Sequence, residues 1–305
     1  RLGYILVTLW VIVTCTFFMM KNLPGTPFDA ERFSIMTPQQ QERVLEMYGL
    51  NDSLPMQYVK YIKNMLKGDL GTSFTYVNQD VSKVITGRLG PSALIGIQAV
   101  LIGLAIGLIL GILAAWKHNS GIDYFTMILA VLGVSVPNFV AAALLQYYIG
   151  LKWGALPVGF WTGWNCSVLP SIALSFSATA MVARFMRTEM LDVLDQDYIV
   201  TARAKGLSQM KVLMRHAVRN SILPVVTILG PIVVNLMTGS LAVENIFSIP
   251  GIGSLFVDCI KANDYPVIMG ITIFYAAFYM LIVLLVDLAY SLIDPRIRLA
   301  KGKES

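Results

Sequence analysis

The feature that most constrains the fold is a series of long runs without a charged residue. A helix needs about 20 apolar residues to cross the roughly 30 Å hydrocarbon layer of a bilayer. Six stretches reach that length: 2–20, 89–116, 124–151, the second half of 153–183, 221–243 and 266–286. Their apolar residues cover every face of a helix, whereas the strands of a membrane barrel alternate polar and apolar residues. The sequence therefore predicts an all-α integral membrane protein with six transmembrane helices.

The composition agrees with a membrane protein. Of the 305 residues, 56% are hydrophobic and 13% are charged, and the mean hydropathy is +0.67, which excludes an ordinary soluble domain. Anionic lipid headgroups account for the net charge of +5, so membrane lipid is expected as a partner and nucleic acid is not. The first run is long and lacks a small-residue cleavage site, which favours a retained signal anchor.

The positions of Lys and Arg predict the orientation, because short cytoplasmic loops are rich in both. The loop at 184–220 holds seven basic residues, and the loop at 117–123 and the end of the chain are also basic. We therefore expect a multi-pass protein of the bacterial cytoplasmic membrane with both termini in the cytoplasm. The predicted organisation is a first transmembrane helix at 1–20, an extracytoplasmic helical segment at 21–88, a five-helix core at 89–293 and a cytoplasmic tail at 294–305.

The extracytoplasmic segment is expected to fold into helices. Thr37 precedes a proline and a capping glutamine, which is a helix start, and Gly49 is placed to end that helix. A second amphipathic stretch at 55–67 repeats apolar residues every fourth position, at Tyr58, Ile62 and Leu66. One face of this stretch should pack on the membrane domain or on a partner.

The loop at 184–220 carries the most information about function. Its first half is predicted to be one amphipathic helix with a shared face at Met190, Leu194, Tyr198 and Ala202. Gly206 is placed to end that helix, and Ser208 can cap a second one, whose basic stripe comprises Lys211, Arg215 and Arg219. Such an element can fit a groove on a cytoplasmic partner and transmit its motion. The alternative is an interfacial helix that rests on lipid.

Four residues of the predicted spans are candidates for a substrate pathway or gate. Pro137 should kink the third span, and Asn138 can satisfy a backbone group that the kink frees. Glu244 stands at the outer end of the fifth span, where its carboxylate can either form part of a gate or simply contact solvent. Asn235 can face the lumen or bond across helices. Kinks and polar residues also occur in membrane helices without a pathway role.

No catalytic or metal site is expected. The chain lacks a phosphate-binding GxxxxGK loop, and its two histidines stand in neither HExxH nor Cys-His spacing. We therefore expect neither an enzyme nor a cofactor in this chain. Cys166 and Cys259 fall in loops on one predicted side, so a disulfide between them is possible, although unpaired cysteines are more common.

Several strings resemble one transporter family. DYIVTARAKGL at 197–207, followed by RHAVRNSILPVVTILG at 215–230, is similar to the EAA loop of bacterial ABC-importer permeases. In the general form of this loop, Glu-Ala-Ala stands six residues before the glycine. This chain has Val200, Thr201 and Ala202 at those positions, so only the last alanine matches. The oligopeptide and dipeptide branch carries Thr-Ala-Arg-Ala-Lys-Gly, which residues 201–206 reproduce. GVSVPNF at 133–139 and ENIFSIPGIGSLFVDCIKANDYPVIMG at 244–270 also resemble this branch.

The resemblance implies a permease of the type I importer class that works by alternating access. Its expected partners are a second homologous permease subunit, two cytoplasmic ATPase subunits that bind ATP and Mg, and an extracellular peptide-binding protein. The residues expected to contact the ATPase are Asp197, Tyr198, Thr201, Ala202, Arg203, Ala204, Lys205, Gly206 and Leu207. Alternative cargoes for a permease of the same family are nickel, glutathione or another solute. Alternative functions are an ion-coupled secondary transporter and a receptor that binds peptides without transporting them.

Overall fold

A computed structural model describes residues 2–22, 33, 35–47, 49–76, 78–237 and 241–293. Within these ranges the regular structure is helical, apart from one isolated bridge between Thr72 and Asp80. The predicted all-α class is therefore confirmed. The predicted tail at 294–305 lies outside the described residues.

The helices follow the apolar runs and the capping signals of the sequence. In chain order they are α1 Leu2–Lys21, α2 Pro38–Met47, α3 Leu54–Met65, α4 Val81–Trp116, α5 Gly121–Ser135, α6 Asn138–Leu145, α7 Val168–Leu194, α8 Asp197–Ala204, α9 Gln209–Val212, α10 Arg219–Met237, α11 Leu241–Ile246, α12 Ile252–Lys261 and α13 Tyr265–Ile293. Wider π-helical turns continue α6 over Gln146–Lys152 and α9 over Leu213–Val218, and a 3-10 turn at Trp164–Ser167 precedes α7.

Five described stretches are long and apolar enough to cross a membrane. They are Gly3–Lys21, Val81–Trp116, Trp164–Leu194, Gln209–Ile246 (described over 209–237 and 241–246) and Tyr265–Val286. The predicted third span is instead a pair of helices, Gly121–Ser135 and Asn138–Lys152, that meet at 100°. Val136 has an extended backbone there (φ −81°, ψ 119°), as is usual before a proline. The kink predicted at Pro137 is present, but it breaks the helix.

The chain forms two compact units, Arg1–Gly90 with Gly251–Phe278, and Pro91–Pro250 with Tyr279–Ser305. In the second unit α7 is the central helix, with Leu174, Met186 and Met190 buried, and it packs against α5, α6 and α10. Gly103, Gly107 and Gly111 of α4 lie against α7, and a Cβ on any of them would come within 2.6–2.7 Å of an α7 atom. Only glycine therefore permits this close approach.

One carboxylate, that of Asp264, is fully buried in the described part of the first unit. Asp264 accepts hydrogen bonds from the Ser73 hydroxyl, from the backbone N–H of Thr75 at 3.0 Å, and from that of Val267 at 3.4 Å in the first turn of α13. These bonds fasten the loop before α4 to the start of α13, and they compensate for the burial of the carboxylate.

The three cysteines are free thiols, so the possible disulfide between Cys166 and Cys259 is not formed. Both of these cysteines are buried. Burial, together with the nearby acids Asp264 and Asp258, raises the pKa of Cys259 to about 12. This thiol therefore stays protonated and unreactive in the folded protein.

Candidate functional site at residues 197–220

The first half of this segment is two helices with a break between them. The structure ends α7 at Leu194, and α8 begins at Asp197 after Gln196 adopts an extended backbone (ψ 147°). The continuous helix predicted through Ala202 is therefore interrupted. The buried face of α8 consists of Ile199 and Ala202, whereas Tyr198 is 42% exposed. The four-residue spacing predicts that Tyr198 is on the buried face. The break at Gln196 changes the helical phase, so Ile199 is buried instead.

Gly206 ends α8 in a Schellman turn. Its φ is +79°, in the left-handed region that favours glycine. The N–H of Gly206 donates to the carbonyl of Arg203 at 2.9 Å, and that of Leu207 donates to the carbonyl of Ala202 at 3.4 Å. A Cβ at Gly206 would meet nothing within 4 Å. The glycine is needed here for the conformation of the turn, which faces open space.

Most of the predicted contact residues form one exposed surface around this turn. Ala202 is the exception, because it is 6% exposed and packs with Ile199 and Val212, so it supports the surface from below. Leu207 is partly buried against the same small cluster. The exposed members are Asp197, Tyr198, Thr201, Arg203, Ala204, Lys205 and Gly206. We call these seven residues the turn surface.

The second half of the segment anchors the turn to the membrane helices. Ser208 occupies the N-cap position of α9, as predicted, although its side chain makes no capping hydrogen bond. Leu213 and Ala217 are buried in the main core of the second unit. The Ser221 hydroxyl is 3.1 Å from the carbonyl of Glu189, which joins α10 to α7. The predicted basic stripe, Lys211, Arg215 and Arg219, is exposed.

A buried ion pair near the end of α7 was not found from the sequence. Asp123, in the first turn of α5, is 2% exposed and forms two bonds with Arg187 of α7, Nε–Oδ1 at 2.5 Å and Nη2–Oδ2 at 2.8 Å. His118 Nδ1 and the backbone N–H of Asn119 lie 3.0 Å from Oδ2 of the same carboxylate. In the sequence, Arg187 is one of the seven basic residues of the loop at 184–220, and no local pattern points to its partner. The pair holds the α4–α5 turn against α7, two turns before α7 ends.

The four candidate pathway residues lie in different settings. Pro137 is exposed at the bend between α5 and α6, and Asn138 is partly buried at the start of α6. Asn235 is exposed on α10. Glu244 is 1% exposed, and its Oε1 accepts a hydrogen bond from Ser92 at 2.7 Å. Solvent contact therefore does not explain Glu244, whose carboxylate is held inside the second unit.

A groove of about 870 Å³ opens in the second unit beside the bend. It is lined mainly by apolar residues of α4, α5, α6 and α7, among them Ile106, Gly133 and Phe176, and Thr126, Ser175 and Thr179 add hydroxyl groups. None of the four candidate pathway residues lines it. Such a lining suits lipid or another apolar helix, and it offers few partners to the polar backbone of a peptide.

Two solved structures share this architecture over 70% of the chain. A chain of the MetNI methionine ABC transporter, in an inward-facing conformation, aligns with a TM-score of 0.60 and 14% identity, over 97% of its own length. A chain of an amino acid ABC transporter aligns with a TM-score of 0.53 and 20% identity, over 94% of its length. The chain therefore shares the fold of these two ABC-transporter chains.

Comparison of the sequence identifies the family. The model for the binding-protein-dependent transport system inner membrane component matches residues 107–299, and the model for the N-terminal part of such components matches residues 1–91. The chain belongs to this family of multi-pass inner-membrane proteins, so the predicted resemblance is confirmed.

Curated relatives match almost the whole chain. The dipeptide transport system permease protein DppB of Lactococcus lactis is 46% identical over 98% of both chains. DppB of Bacillus subtilis is 44% identical over 96% of this chain and 95% of its own. The oligopeptide transport system permease protein OppB of Escherichia coli K12 is 38% identical over 95% of both chains.

Proposed function

We propose that this chain is a permease subunit of an ATP-driven importer of dipeptides or oligopeptides. The observation that carries the proposal is the identity of 38–46% with dipeptide and oligopeptide permeases along nearly the full length of both partners. Methionine and amino acid transporters share only the fold, at 14–20% identity. The peptide branch is therefore favoured over cargo such as nickel or glutathione.

The turn surface is the proposed docking site for a separate ATPase subunit. It is exposed, it ends in a left-handed turn with open space around it, and a cluster of Ile199, Ala202 and Val212 holds it from below. Its basic residues Arg203 and Lys205 suit an acidic rim on a partner cleft. ATP and Mg belong to that partner in this proposal, and the permease itself is not an enzyme.

Motion at the turn surface has a short physical route to the membrane helices. Arg187 ties α7 to the α4–α5 turn through Asp123, and Ser221 ties α10 to α7. A displacement of α8 is thus transmitted to α4, α5, α7 and α10. Together with a second homologous permease, these helices would enclose an alternating-access path. An extracellular peptide-binding protein would deliver the cargo. In this arrangement the turn surface and both termini face the cytoplasm.

Uptake into vesicles tests the proposal. The chain is reconstituted together with the ATPase, second permease and binding protein of the proposed importer, and accumulation of a labelled dipeptide, glutathione and nickel is followed. We expect ATP-dependent uptake of the peptide that persists when ionophores collapse the ion gradients. Uptake driven by an ion gradient alone would indicate a secondary transporter. Binding without accumulation would indicate a receptor, and accumulation of nickel or glutathione alone would place the chain in another cargo group.

A further inference from the structure

The amphipathic helix α3 lies alongside α1 in the first unit. The hydroxyl groups of Tyr58 and Thr14 are 2.7 Å apart, and the Tyr58 ring packs against Phe17 and Phe18 with centroids at 5.4 and 5.7 Å. Phe17 also contacts the ring of Tyr61. These contacts bury one edge of the apolar face of α3, yet no residue of α3 is fully buried.

The other edge of that apolar face is uncovered. Leu66 is 78% exposed, Val59 is 58% exposed, and Trp10 of α1 is 57% exposed. These three residues, with Tyr58 and Ile62, line a groove of about 460 Å³. We call it the α1–α3 groove. Because α1 is long and apolar enough to cross the membrane, a groove on its side opens toward lipid.

The depth of Trp10 places the groove in the outer part of the apolar layer. Met20 packs in the cluster that contains Val81 and Ile85, one to two turns before Leu89, where the charge-free part of α4 begins. From Met20 to Trp10 is ten residues, or about 15 Å of helix. Trp10 therefore lies about 3–9 Å inside the outer edge of the apolar layer, at the depth of the upper acyl chain of a lipid.

Two lysines complete the groove. Lys63 and Lys67 line it, are exposed, and form no ion pair among the described residues. The neighbouring Lys60, by contrast, is paired with Asp52 at 2.6 Å. Lysine stems lie along apolar surface and place their ammonium groups at the headgroup level. An apolar groove that ends in two exposed positive charges matches a molecule with an acyl chain and a negative headgroup.

We propose that the α1–α3 groove binds an anionic phospholipid, with an acyl chain against Trp10, Val59 and Leu66 and the phosphate at Lys63 and Lys67. The lipid completes the packing of α3 on α1 and holds the extracytoplasmic segment at the membrane surface. Each lysine contributes to the attraction for an anionic headgroup, so their joint loss is expected to reduce the preference for anionic over zwitterionic lipid about thirtyfold.

Quenching of Trp10 fluorescence by lipids with brominated acyl chains tests the site. The transporter assembly is reconstituted in phosphatidylcholine vesicles with a small fraction of brominated phosphatidylglycerol or, separately, brominated phosphatidylcholine. The contribution of Trp10 is the difference between the parent protein and Trp10→Phe, since four other tryptophans are present. We expect brominated phosphatidylglycerol to quench Trp10 several times more strongly. The Lys63→Gln/Lys67→Gln variant should lose that difference.

The matched control is Lys83→Gln/Lys261→Gln, which removes the same charge from the first unit away from the groove. It should retain the preference for phosphatidylglycerol. Equal quenching by the two lipids in the parent protein would overturn the proposal, because the groove would then hold only bulk lipid. Quenching by neither lipid would also overturn it and would indicate that another protein helix fills the groove.

Discussion

At the scale of single residues, Gly206 and Asp123 have opposite surroundings. Gly206 is exposed, and its importance lies in a backbone conformation that costs other residues about 1–2 kcal/mol. Asp123 is buried, and its importance lies in a charge that would be costly without Arg187. Substitutions at Gly206 should therefore affect coupling to a partner, and substitutions at Asp123 should affect stability.

Replacing Gly206 by Val is expected to leave the protein inserted while uptake is lost and ATP hydrolysis continues. Gly206→Asn should retain part of the uptake, because asparagine tolerates the left-handed region. Paired assays of ATP hydrolysis and peptide uptake in the same vesicles measure how much ATP is hydrolysed for each peptide taken up. Gly68→Val is the control, since Gly68 also has a positive φ (+83°) with nothing within 4 Å of a Cβ. Normal uptake by Gly206→Val would refute the docking role of the turn.

Replacing Asp123 by Asn should lower the free energy of unfolding by about 3 kcal/mol, because it leaves the Arg187 charge partly buried without its partner. Asp52→Asn removes an exposed pair with Lys60 and should cost less than about 1 kcal/mol. Thermal unfolding in detergent compares the two variants. Arg187→Gln combined with Asp123→Asn should recover part of the loss. Equal destabilisation by Asp123→Asn and Asp52→Asn would contradict the role assigned to the buried pair.

At the scale of elements, close helix packing and breaks in helices shape the second unit. The three glycines of α4 allow α7 to approach, and α7 in turn contacts the helices on both sides of the bend at Pro137. The bend turns the apolar run at 124–151 into two short helices, whose side chains line the groove beside it. The distance between α4 and α7 should therefore be sensitive to the addition of a single methyl group.

Replacing Gly111 by Ala should destabilise the protein by about 1–3 kcal/mol, because the new Cβ would stand 2.6 Å from the carbonyl oxygen of Ala183. Gly87→Ala, in the same helix, is the matched control. A Cβ there meets nothing within 4 Å, so alanine should be neutral or stabilising by about 0.5–1 kcal/mol. Thermal unfolding midpoints of the two variants provide the test, and a smaller loss at Gly111 than at Gly87 would show that the helices can separate freely.

At the scale of the whole molecule, the proposed function requires the turn surface to face the cytoplasm. In a background with the three native cysteines replaced, Lys205→Cys should react with a membrane-impermeant maleimide only after the cell membrane is opened. Lys83→Cys, in the extracytoplasmic segment predicted at 21–88, should react in intact cells. Labelling of Lys205→Cys in intact cells would reverse the orientation and remove the basis for docking a cytoplasmic ATPase.

The sequence by itself determined the fold class, the positions of the apolar spans and the end of α8 at Gly206. These features are local, because a membrane span follows from the hydropathy of about 20 consecutive residues and a left-handed turn follows from one glycine. The string at 197–207 also indicates the transporter family without any knowledge of tertiary contacts, and the full-length relatives confirm it.

Only the tertiary structure decided which residues meet. The pair of Asp123 and Arg187 joins positions 64 residues apart, and Ser92 and Glu244 are separated by 152, so no local pattern indicates either bond. The burial of Ile199 in place of Tyr198 depends on a break that resets the helical phase at Gln196. The 100° bend at Pro137 likewise depends on packing, because a proline in a long apolar run is compatible with a mild kink as well as with a complete break.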